Sequence, residues 1–409
     1  MSSILHSDMC QFIEGKGTTS VVSPKDAVAS HRLCPFSISD IKTPYVCIRG
    51  TRGIGKTYEL LRVGHEIATQ LPLEKVLYVN LNHFYFAHNS LFDFANEAWS
   101  NGVKVLLLDQ VFKYPNWCID LEKCHMAFPE LRVIFTASSV MTLEDDYPSI
   151  GELITIYDLY GFSFREYLNC RYHQEFSPIT IKDLLSRSEA HCKSIATKVD
   201  ILGAFEDYLR CGYYPPCTDD AHFRELLVKN MNMLLEVDLI YIRQVAPTYL
   251  CKLRQLLYLV GIQQNDFTNV SALSNDISVS RATVMNYLKY LSDARLIRLV
   301  YKEGEDFPRK PGKIYLNDTN ELSYISGDGP STSQVNRTFL LSALQDAGLT
   351  VNLSETRGVD FLVDHKYPLR YFGKGDKRRP TSPETIHILS DILKPQNGNI
   401  PLWLFGFLY

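Results

Sequence analysis

The stretch that decides the fold is Gly50-Thr51-Arg52-Gly53-Ile54-Gly55-Lys56-Thr57, which fits G-x-x-x-x-G-K-[ST] at every fixed position. It follows a short apolar run, Tyr45–Ile48, and opens a stretch with helical periodicity. This strand–turn–helix context is the one that the pattern requires. Glycines let backbone N–H groups turn toward phosphate oxygens, and a helix N-terminus adds partial positive charge. We therefore predict a phosphate-binding loop that contacts a nucleotide through all eight residues; the alternative is an accidental glycine-rich turn.

Two loop residues and one strand residue have specific predicted roles. Lys56 would reach the β- and γ-phosphates, and Thr57 would ligate Mg²⁺ through its hydroxyl. Asp109 directly follows the apolar strand Val103–Leu108. It would hold the same metal, because ligands bind at the carboxyl ends of parallel strands. The sequence thus predicts ATP with Mg²⁺, and GTP fits the same motif.

Candidate catalytic residues follow the two central strands. Gln110 stands directly after Asp109, and its amide can orient a water molecule but is a poor proton acceptor. The interpretation is slow hydrolysis; the alternative is that another carboxylate acts as the base. Three carboxylates lie just past the next strand: Glu144, Asp145 and Asp146. That strand ends in Phe135-Thr136-Ala137-Ser138-Ser139, where a hydroxyl such as that of Ser138 either senses the γ-phosphate or caps the following turn.

Composition bounds the remaining possibilities. A chain of 409 residues predicts two to four domains. The net charge of −4 and the pI of about 6.3 argue against a protein that coats nucleic acid, though not against a local basic patch. The ten cysteines have neither C-x-x-C nor zinc-finger spacing, so we expect a reducing cytoplasm. The sequence has no signal peptide and no apolar stretch near the roughly 20 residues of a membrane helix, so no membrane partner is predicted.

Apolar runs separated by helical stretches predict an α/β fold, a parallel sheet with helices on both faces. We place this P-loop NTPase core at residues 41–160, after a lead-in over residues 1–40, and a helical lid or connector at residues 161–245. Beyond Ile156 we predict no further strand of this sheet. The predicted strands are Tyr45–Ile48, Lys75–Asn80, Val103–Leu108 and Arg132–Thr136.

The last third of the chain changes character. Over residues 246–325, three helices, a strand, a charged loop and a second strand follow the layout of a winged helix. Its recognition helix, Ser280–Leu291, offers Arg281, Asn286 and Lys289 as candidate contacts to double-stranded DNA; a protein docking on the module is the alternative. Over residues 326–409, the sequence predicts a small α/β domain. Its elements are a helix, Gln334–Ala347, and the strands Val359–Val363, Leu369–Phe372 and Leu402–Leu408.

Several segments together resemble a family of bacterial AAA+-type ATPases that carry a winged helix and a C-terminal PD-(D/E)xK nuclease-like domain. They are Arg49–Thr57, LLDQVFKYPNW at 107–117, IFTASS at 134–139, YGFSFREYL at 160–168, and Gly212–Pro215. The ending IPLWLFGFLY, residues 400–409, is similar to members from Bacteroidetes. The resemblance implies a place near the nucleotide for Arg165; the alternative is a helix-surface arginine that contacts Glu166 or solvent. The family usually has Glu in place of Gln110 and Gly in place of Ala137.

The resemblance also bears on the C-terminal domain. A PD-(D/E)xK site needs carboxylates and a lysine around Mg²⁺. Asp360 stands at the first acidic position, but Phe372 occupies the second, so we expect no nuclease activity. Two other carboxylates remain as substitutes: Glu355 and Asp364. The basic stretch Lys366–Arg379 either contacts phosphates or forms a solvated face.

The leading interpretation is an AAA+-type ATPase, or slow ATP-dependent switch, coupled to a winged-helix module. The alternatives are a DNA-binding protein with ATP as a structural ligand, and an ATP-regulated nuclease. The sequence indicates no particular oligomeric state.

Overall fold

A six-stranded sheet organises Met1–Tyr160, the first of two units of the chain; the second is Gly161–Tyr409. The computed structural model describes residues 10–12, 43–69, 71, 75–143, 147–215, 220–263, 268–326, 329–373 and 383–409. The strands of the first unit are β1 (Cys10–Phe12), β2 (Tyr45–Gly50), β3 (Val76–Asn80), β4 (Val105–Asp109), β5 (Arg132–Ser138) and β6 (Ile154–Asp158).

Strands β2 to β6 are parallel, which confirms the predicted sheet, and β1 pairs antiparallel with β3. The order across the sheet is β1-β3-β4-β5-β2-β6. All residues of β4 and nearly all of β2 are buried, as expected from their apolar runs VLLL and YVCI. Because β5 lies between β2 and β4, its carboxyl end lies between the phosphate loop and Asp109.

Helices flank this sheet. They are α1 (Lys56–Ala68), α2 (Leu91–Ser100), α3 (Trp117–Ala127) and the short α4 (Pro148–Gly151). The apolar stripe of α1 is buried and packs on β2, β3, β4 and β5. Two strands were not predicted: β1, inside the lead-in over residues 1–40, and β6, which extends past Ile156. Segments of three and five residues are too short to show a reliable hydrophobic period. Pairing with a neighbouring strand decides whether such segments form β-strands.

The second unit begins with helices and ends with a sheet. Its first helices are α5 (Phe164–Tyr172), α6 (Ile181–Ala196) and α7 (Ile201–Cys211). A long helix follows, composed of α8 (Asp220–Met233), a π-helical segment (Leu234–Leu239) and α9 (Ile240–Arg243). The sheet has the order β13-β12-β11-β10-β9, with β9 (Val351–Asn352), β10 (Phe361–Val363), β11 (Tyr367–Phe372), β12 (Ile386–Leu389) and β13 (Ile400–Pro401).

Between these parts, three helices precede a two-stranded antiparallel ribbon, in the predicted order. The elements are α10 (Leu250–Ile262), α11 (Val270–Asp276), α12 (Arg281–Asp293), β7 (Ile297–Val300) and β8 (Lys313–Leu316). The N–H of Thr268 donates to the carbonyl of Gly312 at 2.9 Å, which joins the segment before α11 to the ribbon. Two more helices, α13 (Thr319–Ile325) and α14 (Thr332–Asp346), lead into the final sheet.

Helices α5, α6 and α7, which fall within the predicted lid or connector, share one hydrophobic core with α14 and the final sheet. One expectation about the second unit is corrected. Residues Leu402–Phe407, predicted within a strand, form a buried 3₁₀ helix in that core. Gly406 approaches Phe164 so closely that a Cβ on the glycine would lie 2.5 Å from the phenylalanine Cβ. An apolar run identifies buried residues, but its packing partners decide its conformation.

Among the residues that the structure describes, no helix combines the length and apolar character needed to cross a membrane.

Candidate nucleotide-binding site

The loop after β2 turns sharply before α1 begins. Gly53 and Gly55 have φ values of 81° and 94°, in the left-handed region that glycine adopts without steric cost. Gly50 lies against the backbone of Leu159, so that a Cβ on Gly50 would be 2.5 Å from the Leu159 carbonyl oxygen. The side chain of Ile54 is fully buried. Left-handed glycines, one close backbone approach and one buried anchor therefore fix the path of the loop.

The start of α1 provides groups that bind anions. Gly55 is the N-cap residue, and within the described residues no side chain caps the first N–H groups of α1. Uncapped N–H groups at a helix start attract negative charge. The Nζ of Lys56 donates to the carbonyl oxygen of Thr51 at 2.6 Å, which places the ammonium over the loop. The Thr51 hydroxyl is buried and has no hydrogen-bond partner among the described residues.

The Arg52 side chain lies beside an aromatic ring. It is half-buried, and its guanidinium carbon lies 5.8 Å from the centre of the Phe112 ring. Phe112 belongs to the 3₁₀ helix Val111–Lys113 that follows β4. The loop is therefore packed against the segment that comes directly after Asp109 and Gln110.

The Asp109 carboxylate lies within hydrogen-bond distance of the loop residue Thr57. Asp109 is 2% exposed, and its Oδ2 accepts the Thr57 hydroxyl at 2.9 Å. A threonine hydroxyl and a carboxylate are the ligands with which such loops hold Mg²⁺. The two residues come from separate elements, α1 and β4. The donor set therefore fits a nucleotide bound together with Mg²⁺.

Two further hydroxyls contact the same carboxylate. Thr136 donates to Oδ1 of Asp109 at 2.5 Å, and Tyr78 donates to Oδ2 at 3.2 Å. Burial and the neighbouring carboxylate raise the pKa of the Tyr78 phenol, so that it remains a donor. Sequence reasoning missed both residues as contacts of Asp109, although Thr136 lay in the hydroxyl-rich end of β5.

Gln110 adopts a left-handed backbone conformation, with φ 58° and ψ 48°. Its N–H donates to the Thr136 hydroxyl oxygen at 2.8 Å, and its carbonyl accepts the N–H of Lys113 at 2.9 Å. The predicted sensor Ser138 is buried, and its hydroxyl oxygen accepts the N–H of Val140 at 3.5 Å. The β5 hydroxyl that contacts Asp109 is thus that of Thr136 rather than Ser138. The other base candidates, Glu144, Asp145 and Asp146, lie outside the described residues.

Residues 42–168, which contain this site, match the model of the AAA domain family. The match supports a nucleotide-binding ATPase domain. Residues 202–332 match a family described as a domain of unknown function (DUF8612).

The chain is similar to one relative in sequence and to two solved structures in fold. The uncharacterized protein MJ1637 of Methanocaldococcus jannaschii is 24% identical over 281 residues, which cover 65% of this chain and 59% of that protein. The chain therefore spans less than two thirds of that relative's length. The S. cerevisiae Hsp104–ADP complex is 14% identical, with 70% of this chain and 42% of that chain covered and a TM-score of 0.29. A Thermotoga maritima RuvB variant is 13% identical, with 66% and 84% covered and a TM-score of 0.26. At TM-scores this low, the structural likeness carries no functional conclusion.

Arg165, for which the resemblance implies a place near the nucleotide, is packed inside the second unit. It is 1% exposed, and its Nε donates to the carbonyl oxygen of Tyr409 at 2.8 Å. The same guanidinium donates to the carbonyl oxygen of Phe176 and to Glu166, both at 3.4 Å. Pairing with Glu166, the alternative, is present, but in the interior rather than on a helix surface. Helix α5 is buried around its whole circumference, which its sequence period does not reveal.

The candidate DNA contacts on α12 differ in their surroundings. Arg281, at the first position of the helix, and Asn286, near its middle, are exposed. Lys289 is held by an ion pair with Asp293 at 2.7 Å, which Arg243 also contacts at 3.4 Å. Two of the three candidates therefore face solvent, and the third is partly neutralised within the fold.

Asp360, the predicted first acidic ligand of the C-terminal domain, is engaged by an arginine. Its Oδ1 accepts Nε of Arg337 at 3.3 Å, and its Oδ2 accepts the N–H of Tyr371 at 2.9 Å. Phe372 is buried on β11, with its ring 5.0 Å from that of His387. In the part of the chain that the structure describes, no three His, Cys, Asp or Glu residues are grouped to hold a metal.

The two substitute carboxylates have other partners. Glu355 pairs with Lys302 at 3.3 Å, and Asp364 accepts the N–H of Thr350 at 2.9 Å. Much of the basic stretch Lys366–Arg379 lies outside the described residues, from residue 374 onward.

Proposed function

We propose that this chain is an AAA+-type ATPase that binds ATP with Mg²⁺ at the loop Gly50–Thr57 and hydrolyses it slowly. The observation that carries the proposal is the 2.9 Å hydrogen bond between Thr57 and Asp109. It brings a metal-binding hydroxyl and a metal-binding carboxylate from different elements to the loop. The AAA family match over residues 42–168 supports the same function.

Each group of the site has a defined task. Bound Mg²⁺ supplies charge neutralisation on the phosphate oxygens. The N–H groups of the loop and of the start of α1 bind phosphate, and the Lys56 ammonium adds positive charge. Thr57 and Asp109 hold the metal. Gln110 orients the attacking water, but its amide is a poor proton acceptor, so the hydrolysis step is slow.

Slow hydrolysis suits a switch that stays in an ATP-bound state. In this proposal, residues 161–245 form a helical connector and residues 246–325 a winged helix. Residues 326–409 form a PD-(D/E)xK-like domain without nuclease activity. The helices α10 to α12 followed by an antiparallel ribbon support the winged helix. The ion pair of Asp360 with Arg337 and the burial of Phe372 support an inactive nuclease-like domain.

A second candidate function is DNA binding with ATP as a structural ligand, and the exposure of Arg281 and Asn286 on α12 favours it. ATP turnover measured with and without duplex DNA separates the two functions. Measurable turnover supports the switch, whereas bound ATP that is never hydrolysed supports the structural role. Metal-dependent cleavage of a plasmid would instead establish an ATP-regulated nuclease.

Lys56→Ala tests the site itself. The change removes the side-chain charge aimed at the phosphates, so ATP affinity should fall at least about tenfold, or about 1.4 kcal/mol. Isothermal titration calorimetry with Mg²⁺ present measures the effect. The matched control is Lys104→Ala, which removes the same charge beside the opposite end of β4. Equal ATP affinity in wild type and a folded Lys56→Ala variant would refute the assignment.

A further inference from the structure

Three hydroxyls from three different elements hold the Asp109 carboxylate. Thr57 of α1 and Tyr78 of β3 donate to Oδ2, at 2.9 and 3.2 Å. Thr136 of β5 donates to Oδ1 at 2.5 Å. Among the described residues, Oδ1 therefore depends on Thr136, whereas Oδ2 has two donors.

Thr136 makes a second contact that Thr57 and Tyr78 do not make. A hydroxyl has one proton and two lone pairs, so the oxygen that donates to Asp109 also accepts. It accepts the N–H of Gln110 at 2.8 Å. One side chain, 1% exposed, thus fixes both the carboxylate and the backbone of the next residue.

Gln110 depends on that contact for its conformation. Its φ of 58° lies in the left-handed region, which a residue with a side chain rarely adopts. Its peptide is held on one side by Thr136 and on the other by the N–H of Lys113, which donates to the Gln110 carbonyl at 2.9 Å. Because φ and ψ set the direction of the Cα–Cβ bond, losing the Thr136 hydroxyl removes one of the two restraints on where the Gln110 amide points.

We propose that Thr136 is a positioning residue for ATP hydrolysis, which ties the metal-holding Asp109 to the water-orienting Gln110. The inference rests on the proposed function, because it concerns the same site. The hydroxyl is not required for the strand itself, since valine has a similar shape and also favours β-strands. A threonine whose hydroxyl served packing alone would leave metal binding and turnover unaffected when replaced.

The test is Thr136→Val, with two readouts. In steady-state hydrolysis with Mg²⁺ present, kcat should fall about tenfold or more, and KM for ATP should rise by about the same factor as the Mg²⁺-dependent affinity falls. In calorimetry with ADP, the gain in affinity on adding Mg²⁺ over EDTA should shrink at least about fivefold, while affinity in EDTA is unchanged. The second readout requires no turnover, so it reports on metal holding alone.

Two comparisons isolate the hydroxyl. Thr155→Val removes a hydroxyl from β6 of the same sheet, where it contacts Thr43 at 2.5 Å, and it should leave both readouts at wild-type values. Thr136→Ser and Thr136→Ala both lack the methyl group and differ in the hydroxyl alone. If Thr136→Val is too unstable to measure, this pair decides, with Thr136→Ser close to wild type and Thr136→Ala impaired.

The outcomes separate this inference from the function on which it rests. A wild type that binds no nucleotide refutes the proposed ATPase. The result is different if wild type binds Mg²⁺ and ATP through Lys56, and Thr136→Val keeps the wild-type kcat and Mg²⁺ dependence. In that case only the positioning role is overturned. Equal behaviour of Thr136→Ser and Thr136→Ala overturns it as well.

Discussion

Position 110 combines an amide side chain with a left-handed backbone. The family that this chain resembles usually has Glu here, and a carboxylate accepts the proton of an attacking water far better than an amide does. Lys56 is a cation, and Thr57 and Asp109 are assigned to the metal. Under the proposed function, these assignments leave Gln110 as the residue that orients the attacking water.

Gln110→Glu should raise ATP turnover several-fold or more with little change in ATP affinity. General-base assistance is typically worth about 10²–10⁴-fold in rate, and the substitution restores the missing acceptor. Phosphate release under saturating ATP measures the effect. Gln255→Glu, which adds the same charge on an exposed face of α10, is the control. A wild type that already turns over rapidly and is unaffected by Gln110→Glu would show that another group activates the water.

The proposed alternative function, DNA binding, rests on helix α12. Ser280 caps its start by accepting the N–H of Thr283 at 3.0 Å, which leaves Arg281 exposed at the first turn. Lys289 is already paired with Asp293 on the same helix. The helix therefore presents little unpaired positive charge, and any contact with phosphates is electrostatic and limited.

Duplex DNA should bind weakly, with an affinity that falls steeply between about 50 and about 200 mM salt. Arg281→Ala should lower the slope of log K against log salt by about 1, because one phosphate contact is lost. Lys289→Ala should have a smaller effect. Fluorescence anisotropy measures both, with the exposed Arg224→Ala on α8 as the control. Tight binding that is insensitive to salt would contradict this interface.

At the scale of the whole molecule, the second unit buries more carboxyl groups than cations in one cluster. Asp318, Glu321 and Asp346 are buried there with Arg298, which pairs with Asp346 at 2.8 Å. Tyr214 donates its hydroxyl to Glu321 at 3.0 Å. Burial raises the pKa of Asp318 to about 6 and the pKa of Glu321 well above its usual range. The folded unit therefore keeps a proton on Glu321 at pH values at which the unfolded chain would release it.

This cluster predicts that the second unit becomes less stable as the pH rises. A group whose pKa is raised by folding stabilises the fold fully below its unfolded pKa, and loses that contribution as the pH rises through its folded pKa. From about pH 5 to about pH 8, the melting temperature of wild type should therefore fall by a few degrees relative to Glu321→Gln. Differential scanning calorimetry measures both, with the exposed Glu206→Gln as the control. Parallel pH profiles for wild type and Glu321→Gln would rule out this linkage.

Local features of this protein were predictable from the sequence. The phosphate loop depends on consecutive residues: glycines that permit left-handed turns, a buried strand before them and an amphipathic helix after them. The strand that ends in Asp109 is a continuous apolar run, and its position in a parallel sheet follows from that run. The predicted parallel sheet is confirmed, and the phosphate-binding role of the loop stays a prediction. Both features rest on physical constraints that act within a few residues of each other.

The contacts between distant segments depended on tertiary structure. Tyr78 and Thr136 meet Asp109 because the strands lie in the order β3-β4-β5-β2. Arg165 lies in the core of the second unit because the 3₁₀ helix Leu402–Phe407 and the final sheet pack around α5. Periodicity identifies which face of a segment is buried, but it does not encode which other segment covers that face. The sequence alone therefore determined the strand, glycine turn and helix around Gly50–Thr57, whereas the packing of strands and helices decided which hydroxyls contact the Asp109 carboxylate.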